Sequence, residues 1–251
     1  MNNLSLAAIP SFLVALLAIG CASPVGEDVA ESRDDLRHGQ LSNDHAAVGS
    51  LHIDGALCTG TLVSSRVVLT AAHCFAHDKS GDLGTLTGTF DITPEGGGAA
   101  ESFRLDNFYA RDSKVFGAGA KDVALIHLAT AVPASLAKPI GISTRMPRKS
   151  ERVYQFGYGC QSRKAPEDDA KNPLFGEKQR VTFLWGADHE ENCPGDSGGP
   201  SVVIGGQAGD TAPRVFRVTS SYGKFLGDDR YASVVSLRAE LEEVMATWAR
   251  R

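Results

Sequence analysis

Short apolar runs separated by glycine, aspartate and proline cover most of the chain, a pattern typical of β-strands joined by turns. The run from Arg66 to Leu69 is mostly apolar and predicts a buried strand. Asp54-Gly55, between two such runs, predicts a tight hairpin turn. Strands are predicted at residues 47–53, 56–58, 66–69, 123–128, 152–159, 179–185, 200–204 and 214–220, with a further strand and loop within 81–98.

A different spacing appears at the carboxyl end of the chain. Leu237, Leu241 and Trp248 recur at intervals that place them on one face of a helix. Ser236 precedes them and is a suitable N-cap. We predict a terminal helix over about residues 236–250 that packs on the second half of the chain.

Composition supports a mostly β protein. The chain has 251 residues, 27 of them glycine, and 42% of its residues are hydrophobic. It can therefore bury a sizeable core, as one domain or as two fused barrels. The net charge of -5 is mild and lacks the clustered lysine and arginine of a nucleic-acid-binding protein, so we expect no nucleic-acid partner.

The amino-terminal segment predicts export. Residues 1–20 are mainly apolar, and their core at residues 12–19 is too short to cross a membrane as a helix. No lysine or arginine precedes this core, which is unusual for an exported protein. We nevertheless predict that residues 1–20 are a signal peptide.

The residues after this core indicate whether the exported protein stays anchored to the cell envelope or is secreted. Residues 17–21, LAIGC, are similar to a bacterial lipoprotein processing site. Lipidation of Cys21 would anchor the protein to the cell envelope, which is the only membrane contact we expect. Ordinary cleavage near Ala22 followed by secretion is the alternative. The polar, acidic residues 21–35 predict a tether or propeptide.

The octet CPGDSGGP at residues 193–200 carries the clearest candidate chemistry. A serine hydroxyl needs a neighbouring base before it can attack an acyl carbon. Glycines on both sides of Ser197 let the chain turn sharply and present the N–H groups of Gly195 and Ser197 to one oxygen. These two groups are the candidate oxyanion hole, which would stabilise the negative charge that develops on the carbonyl oxygen.

The order of residues along the chain restricts the class of enzyme. Gly-x-Ser-x-Gly also marks the nucleophile of esterases and lipases, but their catalytic histidine follows the serine. None of the seven histidines follows Ser197, so its base must lie upstream. His73 ends an apolar run beside small residues, and Asp122 begins another apolar run. An Asp-His-Ser order that begins at Asp44 or Asp54 is an alternative, but neither aspartate has a convincing strand-end context.

Three motifs together resemble those of the trypsin and chymotrypsin family of serine peptidases. They are TAAHC around His73, DVALIHL from Asp122 and CPGDSGGP around Ser197, in the order His, Asp, Ser. The resemblance covers about residues 36–251. It implies that Asp122 orients His73, and that His73 activates Ser197.

The resemblance also implies a fold and an activity. The fold is all-β, with two Greek-key β-barrels packed face to face at about residues 36–131 and 140–235, followed by the terminal helix. The enzyme would cleave protein or peptide substrates through an acyl-enzyme, without a metal or other cofactor. A catalytically silent relative that uses the same cleft only for binding is the alternative function.

Members of this family are typically made inactive and activated by cleavage. The resemblance implies that an activating protease frees Leu36, whose amino group then inserts and pairs with Asp196. Arg37 and His38 are atypical residues after such a terminus. Activation by cleavage is therefore an expectation that the residues only partly match.

Four cysteines remain once the lipidation candidate is set aside. A bridge from Cys58 to Cys74 would hold the turn of the candidate histidine against the preceding strand. By exclusion Cys160 pairs with Cys193, which departs from the commoner arrangement of the family. We therefore expect two disulfides in the mature protein.

Specificity is predicted from residues that would line the primary pocket. In the family, the base of this pocket lies six residues before the nucleophile, and here that residue is Glu191. Ser221, Tyr222 and Gly223 resemble the family's Ser-Trp-Gly wall. A buried carboxylate needs an opposite charge, so we predict cleavage after lysine or arginine. If Glu191 points to solvent instead, this preference has no basis.

Overall fold

The computed structural model describes residues 39–75, 87–110, 122–159, 175–187, 192–205, 211–221 and 230–250. All of these residues belong to one compact unit that spans residues 31–251. The helical elements among them are a 3-10 turn at Ala72–Phe75 and the helix α1 at Arg238–Trp248. The described strands are β1 (Gln40–Leu41), β2 (Val48–Ile53), β3 (Ala56–Ser64), β4 (Val67–Thr70), β5 (Gly88–Ile92), β6 (Glu101–Ala110), β7 (Ala124–Leu128), β8 (Gly141–Ile142), β9 (Arg152–Gly157), β10 (Gln179–Leu184), β11 (Pro200–Ile204), β12 (Pro213–Ser221) and β13 (Arg230–Ser233).

Six strands of the first half close into a barrel, in the order β2-β3-β4-β7-β6-β5. The predicted hairpin between β2 and β3 is confirmed, and its turn residues Asp54 and Gly55 both have positive φ, at 46° and 84°. A two-residue hairpin turn of this kind requires positive φ at both positions. Side chains that alternate along the strands fill the barrel, where Leu51, Phe90 and Leu125 are fully buried.

Seven strands form a second sheet, in the order β1-β10-β9-β11-β12-β13, with β8 parallel to β12. β1 pairs with β10, so residues 40–41 belong to this sheet, although the sequence places them in the first barrel. Over the described strands the order is linear, whereas the sequence predicts a second closed barrel. The all-β architecture with a barrel and a carboxyl-terminal helix is confirmed.

The helix α1 packs on the first barrel, so the predicted packing on the second half is wrong. The hydroxyl of Tyr109 in β6 donates to Glu240 of the helix at 2.5 Å. The ring of Trp248 contacts that of His127 in β7, with 5.5 Å between the centroids. Helical spacing identifies the apolar face of a helix but not the layer that receives it, which explains the error.

The start of α1 also differs from the prediction. Leu237 occupies the N-cap position and makes no side-chain capping hydrogen bond. Ser236, the predicted N-cap, instead donates through its hydroxyl to the carbonyl of Ser233 at 3.1 Å. The helix itself lies within the predicted range.

A buried lysine joins the start of the first barrel to the second sheet. Lys178 lies just before β10, and only 4% of it is exposed. Its Nζ donates to the carbonyls of His45 and Val48, each at 3.3 Å. Burial lowers the pKa of Lys178 to about 8, and the negative charges of Asp44 and Glu95 oppose this shift only in part.

The lowered pKa of Lys178 predicts that the protein becomes more stable as the pH rises from about 7 to about 9. In this window the folded chain loses the Lys178 proton while the unfolded chain still binds it, so the free energy of unfolding rises with pH. The expected gain is about 1 kcal/mol, measured by urea denaturation at both pH values. The buried phenol of Tyr158, whose pKa is raised mainly by burial, opposes the trend only above about pH 10.

The control for this prediction is a matched pair of lysine substitutions. Lys178→Met should remove the rise with pH, because the variant lacks the amine whose titration produces it. Lys138→Met changes an exposed lysine and should keep the wild-type rise. Equal pH dependence in the wild type and Lys178→Met would contradict the assignment to Lys178.

Candidate active site

His73 lies in a turn that is held against β3. It belongs to the 3-10 turn after β4, and the next residue, Cys74, forms the predicted disulfide with Cys58 of β3. The hydroxyl of Thr70 donates to the carbonyl of Thr59 in the same strand at 2.9 Å. The disulfide and this hydrogen bond fix the position of the backbone that carries the His73 side chain.

Asp122 lies two residues before β7 and is almost completely buried, with 2% of it exposed. It accepts the backbone N–H of His73 at 2.8 Å, and its other oxygen lies 2.6 Å from His73 Nδ1. The hydroxyl of Ser220 also donates to this second oxygen, at 2.6 Å. Burial of a carboxylate is costly unless donors surround it, and these groups supply that stabilisation.

Ser197 is held in a loop that is bonded to both halves of the protein. Its carbonyl accepts the N–H of Thr59 in β3 at 2.8 Å, and the N–H of Gly198 donates to Thr219 of β12 at 2.7 Å. Gly198 has a φ of 81°, and a Cβ there would lie 2.0 Å from Thr70 Oγ1. Only glycine fits this position, which explains one glycine of the octet.

His73 connects Asp122 to Ser197. Its Nε2 lies 2.8 Å from Ser197 Oγ, while its Nδ1 faces Asp122. The His73 side chain is 30% exposed, whereas that of Asp122 is 1% exposed. In this arrangement Nε2 can accept a proton while Nδ1–H remains bonded to the carboxylate.

The backbone of Gly195 is positioned beside Ser197 by its carbonyl group. This carbonyl accepts the hydroxyl of Thr59 at 2.8 Å, and the φ of Gly195 is 99°. Among the hydrogen bonds between described residues, none uses the N–H of Gly195 or of Ser197. Both groups can therefore serve the oxyanion role that the sequence suggests.

Asp196 points away from the nucleophile and into the protein, and 1% of it is exposed. One carboxylate oxygen accepts the N–H of Gly159 and the other that of Cys193, each at 2.8 Å. A Cβ at Gly159 would lie 2.5 Å from this carboxylate, so the close contact requires glycine. Leu36, the predicted partner of Asp196, lies outside the described residues.

Two residues of the site were missed by the sequence reasoning. Ser220 supplies a hydroxyl that reaches Asp122. Thr59 uses its N–H, hydroxyl and carbonyl to hold both the nucleophile loop and the turn of the histidine. The partners of Ser220 and Thr59 are too distant in sequence for these contacts to be predicted.

Several predicted site residues cannot be placed. Cys193 is disulfide-bonded, but its predicted partner lies outside the described residues, so that pairing stays a prediction. Ser221 ends β12, and its side chain is not described. No group of three or more metal-ligating side chains occurs within the described ranges. The predicted residues outside these ranges are Cys21, Cys160, Glu191, Tyr222 and Gly223.

Comparison with known proteins identifies the family. A sequence model of one protein family, described as Trypsin, matches residues 37–220. This chain belongs to the trypsin family. The match extends over most of the described strands and includes all three residues of the hydrogen-bonded path from Asp122 to Ser197.

Individual relatives of this trypsin-family protein are distant. It is 30% identical over 186 residues to the inactive snake venom serine proteinase 13 of Crotalus adamanteus, across 65% of this chain and 69% of the relative. It is 25% identical over 263 aligned positions to trypsin delta of Drosophila erecta, across 91% of this chain and 96% of the relative. These relatives come from a snake and a fly, so they give no support to a bacterial type of protein.

The fold of this trypsin-family protein resembles that of neuropsin, a serine protease expressed in the limbic system of mouse brain. The TM-score is 0.61, and the superposition covers 82% of this chain and 97% of neuropsin. The two sequences are 16% identical. At this identity the likeness concerns the fold alone.

Proposed function

We propose that this protein is a serine endopeptidase that hydrolyses peptide bonds in proteins or peptides. The observation that carries the proposal is the hydrogen-bonded path from Asp122 through His73 to Ser197, with distances of 2.6 and 2.8 Å. Membership of the trypsin family supports it, since the matched region contains all three residues. The same three types of side chain serve as orienting carboxylate, base and nucleophile in this type of catalysis.

The proposed reaction has two acyl-transfer steps. His73 Nε2 takes the proton of Ser197, whose oxygen attacks the scissile carbonyl, while Asp122 stabilises the imidazolium that forms. The N–H groups of Gly195 and Ser197 donate to the oxyanion. His73 then protonates the departing amine, which leaves the acyl-enzyme. Water, deprotonated by the same imidazole, attacks the acyl group and releases Ser197.

A catalytically silent binding protein is the second candidate. It is favoured by one observation, the relative that is named inactive. Against it, this chain has a histidine, an aspartate and a serine at hydrogen-bonding distances, an arrangement that binding alone does not need. The two candidates differ in whether Ser197 reacts.

Labelling with a fluorophosphonate separates the two candidates, because this reagent reacts only with an activated serine. We expect one label on each chain of the exported protein or of a form processed near Leu36. Ser197→Ala should take up none, whereas Ser65→Ala, which changes an exposed serine, should label as the wild type does. If neither the exported protein nor the form processed near Leu36 takes up the label, although both are folded, the result would favour the silent binding protein.

Cleavage after lysine or arginine is a further part of the proposal. It depends on the carboxylate of Glu191, one residue before Asn192. Asn192 is 2% exposed, and its side chain accepts a hydrogen bond from Gln155 at 2.6 Å. The residue that follows Glu191 in the sequence is therefore buried in the protein. Comparison of arginyl, phenylalanyl and alanyl reporter substrates measures the preference. A preference for phenylalanine would overturn this part alone.

Export, activation and attachment to a membrane are separate proposals, since they concern residues before the described part. We propose a signal peptide at residues 1–20, lipidation of Cys21, and release of Leu36 by an activating protease. The resemblance to the family assigns Asp196, whose carboxylate is buried, as the partner of the new amino group. Within the described residues, no helix has the length and apolar character needed to span a membrane. Intact mass of the mature, active protein distinguishes a lipid-bearing Cys21 from a chain that begins at Leu36.

A further inference from the structure

A buried threonine on β3 is hydrogen-bonded to the segment that carries the candidate oxyanion donors. Thr59 has an exposed fraction of 0%, and its hydroxyl donates to the carbonyl of Gly195 at 2.8 Å. The same hydroxyl accepts the backbone N–H of Tyr158 at 3.1 Å. A hydroxyl has one proton to donate, so the bond from Tyr158 leaves that proton for Gly195. The Thr59 side chain thus connects two segments that lie 136 and 99 residues away in sequence.

The backbone of Thr59 holds the nucleophile and the turn of the histidine. Its N–H donates to the carbonyl of Ser197 at 2.8 Å, and its carbonyl accepts the hydroxyl of Thr70 at 2.9 Å. Thr70 lies three residues before His73. These bonds use backbone atoms of Thr59, whereas the bond to Gly195 uses its side chain. A substitution of the side chain can therefore release Gly195 while the bonds to Ser197 and Thr70 remain.

Gly195 lies in a turn whose conformation sets the direction of its N–H. The N–H of Asp196 donates to the carbonyl of Cys193 at 3.0 Å and closes this turn, whose central residues are 194 and 195. Gly195 has a φ of 99°, and positive φ at the third position is typical of a type II turn. The turn alone does not fix where this N–H lies relative to the nucleophile. Among the described residues, the one hydrogen-bond partner of Gly195 is the Thr59 hydroxyl, which joins the turn to β3.

We infer that Thr59 is a positioning residue of the oxyanion hole. This inference rests on the proposed peptidase function. The Thr59 hydroxyl holds the backbone of Gly195 where its N–H donates to the oxyanion beside Ser197. Backbone donors stabilise this charge because they are in place before the reaction begins. Without the hydroxyl, the buried carbonyl of Gly195 and the N–H of Tyr158 lose their partner, and the turn shifts to regain hydrogen bonds.

Substitutions on β3 test the hydroxyl of Thr59 separately from its shape. Thr59→Val keeps the branched shape and should lower kcat by about 10- to 100-fold, since removal of a whole oxyanion donor costs about 10²- to 10³-fold. Thr59→Ser keeps the hydroxyl and should retain kcat within about threefold of the wild type. Thr61→Val is the matched control. Thr61 is also fully buried on β3, and its hydroxyl has no hydrogen-bond partner within the described part of the chain, so kcat should stay unchanged.

A ketone inhibitor separates a role in the oxyanion hole from a purely structural one. Ser197 Oγ adds to the carbonyl carbon of a peptide trifluoromethyl ketone, its proton passes to His73, and the carbonyl oxygen becomes an oxyanion. The corresponding peptide alcohol has no carbonyl and binds without this charge. Thr59→Val should weaken binding of the ketone by about 10- to 100-fold and leave that of the alcohol within about threefold of the wild type. Equal weakening of both ligands, or unchanged kcat in folded Thr59→Val, would overturn the inference.

A second variant and a label keep this inference distinguishable from the proposed function. Thr59→Ala also lacks the hydroxyl and replaces Thr59→Val if that variant does not fold, with the same selective loss for the ketone expected. Fluorophosphonate labelling of the wild type reports on the proposed function independently. Labelled wild type together with full activity of a variant that lacks the hydroxyl would contradict the inference alone. A wild type that takes up no label would overturn the proposed function and, with it, the inference.

Discussion

Replacement of His73 with alanine should lower kcat by about 10⁶-fold, the loss found when the base of another serine peptidase triad is removed. The reason is the 2.8 Å contact between His73 Nε2 and Ser197 Oγ, since within the described residues no other base lies at hydrogen-bonding distance from this hydroxyl. KM should change little, because the imidazole acts on the reacting atoms. Steady-state hydrolysis of a reporter amide by purified variant and wild type measures both constants.

A second histidine provides the control for this result. His52 lies in β2 of the same barrel, has a side chain that is 51% exposed, and is 3.6 Å from Asp91. His52→Ala should retain wild-type kcat, because its imidazole faces solvent and not the nucleophile. If His73→Ala keeps its activity within about tenfold of the wild type, the base has been assigned to the wrong residue.

The three side chains of the hydrogen-bonded path could be singled out from sequence because each lies in a compact motif. Glycines around Ser197 and small residues before His73 reflect local packing that only such residues permit. Gly198 illustrates this, since its conformation and its closeness to Thr70 both exclude a side chain. Local patterns therefore singled out three side chains that the structure brings within hydrogen-bonding distance, although the three come from distant parts of the chain.

Elements whose form depends on distant neighbours could not be predicted. β6 carries charged residues at alternate exposed positions, so its apolar signal is weak, and it was missed. β1 has two residues, and its pairing with β10 depends on a register that no local pattern encodes. The prediction of where α1 packs was wrong for a related reason. Tyr109 and Glu240 are far apart in sequence and meet only after both barrel and helix have formed.

Ser220 shows the same limit within the site itself. Its hydroxyl reaches Asp122 because β12 ends beside β7, an arrangement that spans 98 residues of sequence. The donor to the carboxylate is thus fixed by the meeting of the two halves and not by a motif. The carboxylate of Asp122 is therefore held by both halves of the protein, since it accepts hydrogen bonds from His73 in the first half and from Ser220 in the second.

Asp122→Asn should lower kcat by about 10⁴-fold while leaving the fold intact, as the corresponding change does in a well-studied triad. An amide keeps the shape of the carboxylate but offers one oxygen, whereas both carboxylate oxygens accept here. An NH₂ group facing Nδ1 favours the tautomer with its proton on Nε2, and that nitrogen then cannot take the proton of Ser197.

The matched control for Asp122→Asn is Asp106→Asn, which alters an aspartate–histidine pair outside the site. Asp106 lies 3.1 Å from His127 Nδ1 and its side chain is 46% exposed, so this change should leave kcat at the wild-type value. The double variant of His73→Ala with Asp122→Asn should be no slower than His73→Ala alone, because the carboxylate acts through the imidazole. Multiplicative losses in the double variant would show that Asp122 contributes independently of His73, and the proposed path would then be wrong.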